Sequence, residues 1–132
     1  MEINYYLYTS KCEPCPMCGH KEEPLHIGKS SCGWCFSLHI IPELNINDLD
    51  DWVKLFDDEK NKIIDEYNTI IQKEEMLDII TKREIEEMVY DKCFFEQNHC
   101  VPGPNGLVRS ELGRFCIKHG SGTWDCIIGE FS

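Results

Sequence analysis

The sequence predicts an α+β fold in which an antiparallel sheet is covered by two or three helices and carries an N-terminal zinc-ribbon or zinc-knuckle hairpin. Three observations predict it. Segments rich in aromatic and β-branched residues lie near both ends of the chain. The middle has apolar residues at helical spacing. Two pairs of cysteines, each separated by two residues, fall in the first predicted hairpin region.

Three strands are predicted in the N-terminal third. Residues 3–9 suit a first strand, and residues 25–29 and 34–41 suit two more after the Cys/Pro/Gly-rich segment 12–24. Residues 30–33 supply turn chemistry, so the second and third strands are predicted to pair as a hairpin.

The middle of the chain predicts two amphipathic helices separated by a strand. Residues 47–56 begin with capping residues and early acids and then place apolar side chains at helical spacing. A strand is predicted at 62–67, with a turn after it. A second helix is predicted from residue 74, and residues 84–90 keep its spacing.

The Pro- and Gly-rich stretch 101–106 predicts a break before a C-terminal segment of strands. Residues 114–118 and 123–128 are predicted to be antiparallel neighbours joined at 119–122. We therefore expect a single domain, 1–132, made of a zinc hairpin (10–41), an acidic helical middle (47–92) and C-terminal strands (107–132).

The charge distribution narrows the possible partners. The net charge is −11, and fifteen acids against seven bases fall in residues 47–92. Direct binding to nucleic acid is not expected, because phosphate contacts need a surplus of lysine and arginine. Neither a membrane span nor a secretory signal is recognisable, so we expect a cytoplasmic protein.

The strongest motif is a pair of CxxC sequences, Cys15–Cys18 and Cys32–Cys35, with thirteen residues between them. Two such turns can complete the tetrahedral four-thiolate shell that zinc accepts at about 2.3 Å per bond. The predicted cofactor is therefore zinc on these four cysteines, although Cys12 could replace one of them. Nine cysteines in a reducing compartment fit metal ligands better than disulfides.

The cysteines also suggest two other chemistries. A redox dithiol at residues 32–35 is disfavoured, because a strand rather than a helix is predicted to follow, and no helix dipole would lower the thiol pKa. A second metal site is a weaker alternative, with ligands drawn from Cys93, His99, Cys100, Cys116 and His119.

Two polar clusters are the candidate ligand site. A P-loop at Gly28 is excluded by Glu23, which stands where the motif needs glycine. Each cluster nevertheless combines a flat aromatic with hydrogen-bonding groups and a glycine, a combination that suits stacking a base and holding an anion. We predict that the two clusters converge on one concave site. The candidate residues are His26, Lys29, Ser30, Ser31, Trp34, His119, Ser121, Thr123, Trp124 and Asp125.

The string His-Ile-Gly-Lys-Ser-Ser at 26–31, followed by Gly33-Trp34 and Phe36, resembles the motif of a group of small uncharacterised proteins of tailed bacteriophages. Similar strings at 65–67, 74–77 and 122–125 extend the resemblance over most of the chain. The residues at the positions of Cys32 and Cys35 vary in that motif, which leaves open a zinc site completed by Cys116 and His119. The resemblance implies a phage accessory protein in the host cytoplasm.

The leading functional hypothesis is a non-enzymatic, zinc-containing binding module that interferes with a host process, as an anti-defence or host-takeover protein. Its partner would be a host protein or a phosphate-bearing small molecule. One alternative is a metal-dependent enzyme acting on a nucleotide or phosphoester, with His26, His39, His119 and Asp125 as candidate groups. Another is a DNA mimic that uses acidic helices at 48–59 and 74–91. The oligomeric state is left open.

Overall fold

A mixed β-sheet with helices forms the protein in a computed structural model that describes residues 2–9, 24–31, 35–82, 92–103, 105–111, 121–129 and 131. The strands of this part of the chain are β1 (Ile3–Thr9), β2 (Leu25–Ser30), β3 (Ser37–Ile40), β4 (Asn61–Asp65), β5 (Ile70–Ile71), β6 (Cys100–Pro102), β7 (Leu107–Arg109) and β8 (Asp125–Ile128). The helices are α1 (Leu49–Phe56), α2 (Lys73–Thr81) and α3 (Lys92–Gln97).

The described strands form one sheet in the order β5-β4-β1-β2-β3-β8-β7-β6. The pairs from β5 to β3 are antiparallel, and so is β6–β7. β8 runs parallel to both of its neighbours, β3 and β7. The α+β class is confirmed, but the prediction of an antiparallel sheet is wrong, because β8 enters the sheet in the same direction as β3.

Local patterns account for the elements that were predicted well. α1 begins where the Asp48 carboxylate accepts a hydrogen bond from the backbone N–H of Asp51, 3.1 Å away. Such a bond satisfies one of the unpaired N–H groups at a helix start. Leu49, Trp52 and Phe56 then bury one face of the helix.

The C-terminal half departs from the predicted pattern. The breaker at 101–106 lies in a β6–β7 hairpin, closed by a 2.8 Å bond from the Gly103 N–H to the Gly106 carbonyl, and does not separate two regions. β5 and α3 were not predicted. Residues 10–23 and 32–34 of the predicted zinc hairpin (10–41) lie outside the described residues, and so do the predicted helix segment 84–90 and strand 114–118.

The main core lies between one face of the sheet and helices α1 and α2. Its largest members include Trp52, Phe36 and Leu7, and Met76 and Ile80 join them from α2. The indole N–H of Trp52 donates to the His39 carbonyl at 2.8 Å, which ties α1 to β3. Within the described residues, none of the helices is long and apolar enough to cross a bilayer.

The opposite face of the sheet has a buried polar part. Because side chains alternate along a strand, Ser37 lies on the face opposite its core neighbour Leu38. Lys29 and Asp125 are the cross-strand partners of Ser37 on β2 and β8, and all three are buried. We call this second side of the sheet the polar face.

A candidate ligand cavity at the end of the sheet

A cavity of about 730 Å³ opens where β2 begins and β3 ends. We call it the sheet-end cavity. Its volume lies in the range of about 300–1,000 Å³ that is usual for small-molecule sites. It is lined by Tyr6, Pro24, Leu25, His26, His39, Ile40, Ile41, Glu43, Leu44, Gly129 and Phe131.

Four rings form one wall of this cavity. The His26 ring lies 4.8 Å from the Phe131 ring, 5.4 Å from His39 and 5.5 Å from Tyr6, measured between centroids. The His39 and Phe131 centroids are 5.2 Å apart. These separations and the tilted or edge-on planes are typical of favourable aromatic pairs. We call these four residues the ring wall.

The strands place the ring wall by alternation and register. Tyr6 and His26 are cross-strand partners on β1 and β2, next to an irregularity in the β1–β2 register. His39 follows on β3, and its Nδ1 hydrogen donates to the His26 carbonyl at 3.0 Å. The two imidazoles are thereby held by backbone pairing rather than by flexible loops.

His26 is held as a neutral imidazole. Burial lowers its pKa to about 4, repulsion from His39 and Lys29 adds to the effect, and the Gly28 backbone opposes it. Its Nε2 hydrogen donates to the Asn4 side-chain oxygen at 2.9 Å. Within the described part of the chain its Nδ1 is buried and has no hydrogen-bond partner.

The remainder of the lining is mostly aliphatic, with one carboxylate at the rim. Leu25, Ile40, Ile41 and Leu44 supply apolar surface, and Glu43 is exposed at the edge. Neither lysine nor arginine is among the described residues that line the cavity.

The first predicted cluster lies on β2, but only His26 lines the sheet-end cavity. Lys29 is buried and forms a 2.9 Å ion pair with Glu2. Ser30 is also buried, and Ser31 is half-buried. Trp34 lies outside the described residues.

Gly28 has a packing role in this segment. A Cβ at this position would lie 2.2 Å from the Ser37 carbonyl oxygen and 2.4 Å from the Phe36 ring. Glycine therefore allows β2 and β3 to approach each other closely. The Gly-Lys-Ser string belongs to a strand and not to a phosphate loop.

The second predicted cluster is divided between the two faces of the sheet. Asp125 is fully buried on the polar face, where its carboxylate binds Arg109 at 2.5 Å and accepts from the Leu107 N–H at 3.2 Å. Trp124 packs against the main core and lines a separate cavity of about 230 Å³. Ser121 is exposed and Thr123 half-buried, while His119 lies outside the described residues.

The structure thus brings parts of the two clusters to neighbouring strands without uniting them in one cavity. Lys29 and Asp125 are each in register with Ser37 on the strand between them. His26 and Trp124, however, line different cavities. The shared site that includes Trp34 and His119 stays a prediction.

Three of the four predicted zinc ligands lie outside the described residues. Cys15, Cys18 and Cys32 fall among residues that the structure does not describe, and Cys35 is fully buried. Among the described residues, no group of three or more His, Cys, Asp or Glu side chains is arranged to hold a metal. Zinc on this cysteine set stays a prediction.

Sequence reasoning missed several residues of the sheet-end cavity. Tyr6 had an available signal, since it alternates with the core residues Tyr5 and Leu7 along β1 and so faces the other side. His39, a candidate only in the enzyme alternative, alternates with the core residues Leu38 and Ile40 along β3 in the same way. Glu43 and Phe131 carry no local signal, because tertiary contacts alone place them at the cavity.

Comparison of the chain with protein-family models, curated proteins and solved structures found no match. The candidate site is therefore interpreted from its own geometry. That geometry is a cavity of small-molecule size with a wall of four rings, an aliphatic lining and an acidic rim.

Proposed function

We propose that the protein is a non-enzymatic binding module and that the sheet-end cavity holds its small-molecule ligand. The observation that carries this proposal is the ring wall, which four residues from β1, β2, β3 and the C-terminal end build along a cavity of about 730 Å³. Concave, mostly apolar sites with a few fixed polar groups are the usual form of small-molecule sites.

The chemistry of the described ionisable groups supports binding rather than catalysis. A general base works best with a pKa near the operating pH, and the pKa of His26 is about 4. Asp125 is committed to Arg109. Burial raises the thiol pKa of Cys100, and raises that of Cys126 to about 11, so neither is a ready thiolate nucleophile at neutral pH.

The biological role we propose is the one that the sequence resemblance implies. The module would act in the cytoplasm of a phage-infected host, where capture of its ligand interferes with a host process. Zinc on the cysteines at 15, 18, 32 and 35 would have a structural part, since metal binding at such sites contributes directly to folding.

The proposal is tested by NMR titration of the full chain with indole, a flat neutral probe that fits within the cavity. We expect saturable shifts of the Phe131 and His26 ring resonances. Leu44, half-exposed at the rim, offers a competing variant, and Leu44→Trp should weaken indole binding, because the introduced indole can occupy part of the same apolar lining.

The matched control is Ile70→Trp, which adds the same indole group at an exposed position on β5 that does not line the cavity. It should bind indole as the wild type does. Shifts that fail to saturate, or that persist unchanged in Leu44→Trp, would contradict the proposal.

A further inference from the structure

Among the described residues that line the sheet-end cavity, the charged side chain is acidic. Glu43 is the carboxylate among the described lining residues, and no lysine or arginine joins it there. Lys29, the lysine of the predicted site, is not among the lining residues and is buried in an ion pair with Glu2. The chain as a whole carries 24 acids against 13 bases. Such a surface raises the local concentration of cations and lowers that of anions.

The ring wall is a second feature of the cavity that attracts cations. Aromatic faces carry negative electrostatic potential, and a cation within about 6 Å of a ring centroid is attracted by roughly 0.5–2 kcal/mol, depending on its desolvation. Tyr6 and Phe131 present such rings at the cavity, and His26 is neutral. The Lys29 charge, which repels a proton on His26, is paired with Glu2.

From these observations we infer that the cavity binds an organic cation, with its apolar or aromatic body on the ring wall and its ammonium group at the Glu43 rim. This inference rests on the proposed binding function and names the ligand class. It replaces a phosphate-bearing ligand within the cavity, because an anion there would face a carboxylate without a lysine or arginine in the described lining.

The test is a titration with three probes of similar body and different charge: phenethylammonium, 2-phenylethanol and phenyl phosphate. Binding to the full chain at neutral pH and low ionic strength is followed through the Phe131 ring resonances. We expect the ammonium probe to bind about ten-fold more tightly than the alcohol, and the phosphate most weakly. Added salt should narrow the gap between the charged probes.

The matched pair of variants is Glu43→Gln and Glu59→Gln, which remove the same charge at the rim and at an exposed position outside the lining. Glu43→Gln should weaken phenethylammonium binding about five-fold and leave 2-phenylethanol unchanged, because only the cation uses the carboxylate. Glu59→Gln should leave both probes unchanged.

The outcomes separate this inference from the proposed function. Tightest binding of phenyl phosphate, or of the alcohol, would overturn the organic-cation inference while leaving a binding cavity in place. An equal loss of cation affinity in Glu43→Gln and Glu59→Gln would overturn it as well, since long-range charge alone would then explain the preference. Failure of all three probes to produce saturable shifts would overturn the proposed function itself.

Discussion

At the residue scale, His26 both lines the sheet-end cavity and makes the stability of the protein depend on pH. Its ring contacts three other rings, and protonation would place a charge between them. Burial and the neighbouring His39 and Lys29 lower its pKa from 6.5 to about 4. The folded protein therefore binds this proton more weakly than the unfolded chain does.

This pKa shift predicts how stability depends on pH. Above pH 6.5 His26 is neutral in both states and contributes no pH dependence. As the pH falls from 6.5 towards 4, the unfolded chain takes up the proton first, so the free energy of unfolding decreases. After allowance for the partial exposure of the ring, we expect His26 to account for a loss on the order of 2 kcal/mol.

Urea unfolding of the wild type and of His26→Phe across pH 4–7 measures this contribution. Phenylalanine keeps an aromatic ring and removes the titration, while the carboxylates are common to both chains. The difference between the two stabilities should change across pH 6.5–4 and stay constant above pH 6.5. Parallel curves throughout would show that His26 titrates normally in the folded protein.

At the element scale, the parallel junction between β7 and β8 contains a buried ion pair. Arg109 on β7 and Asp125 on β8 have fully buried side chains, and the Asp125 carboxylate also accepts the Leu107 N–H. A buried charge that loses its partner is strongly destabilising, whereas removal of both charges is often tolerated.

A double-mutant cycle tests this account of the junction. Asp125→Leu should lower the free energy of unfolding by about 3–5 kcal/mol, because the Arg109 charge stays buried without this carboxylate. Arg109→Met should lower it by a similar amount. The double variant should lower the free energy of unfolding by much less than the sum of the two single effects. Urea unfolding supplies the values, with Glu59→Gln as a surface control expected within about 0.5 kcal/mol of the wild type. Additive single effects would contradict the account.

The elements that were predictable from the sequence are those with local causes. α1 was predicted because its cap, Asp48, and its apolar spacing lie within a dozen consecutive residues. The direction of β8 was not predicted, because the local sequence pattern of a strand is the same in parallel and antiparallel pairs. Its pairing with β3 joins residues about ninety positions apart, such as Ser37 and Asp125.

At the scale of the whole molecule, the candidate site is assembled from distant parts of the chain. His26 was predicted as a site residue because a polar cluster surrounds it in the sequence. Tyr6, Glu43 and Phe131 join it only through the folded sheet, so local patterns could not assign them to the same cavity. Local patterns could not assign Trp124 to its cavity either. Trp124 packs on the core side of the sheet, whereas its sequence neighbour Asp125 lies on the polar face.

The central claim is that the sheet-end cavity, lined by His26 and Phe131, is the ligand site. A crystal structure of the full chain soaked with phenethylammonium tests it most directly, because the alternative cavity at Trp124 offers a competing apolar site on the other side of the sheet. The account predicts the probe's ring against Phe131 and its nitrogen within about 4 Å of the Glu43 carboxylate. A probe bound at Trp124, with the sheet-end cavity empty, would contradict it.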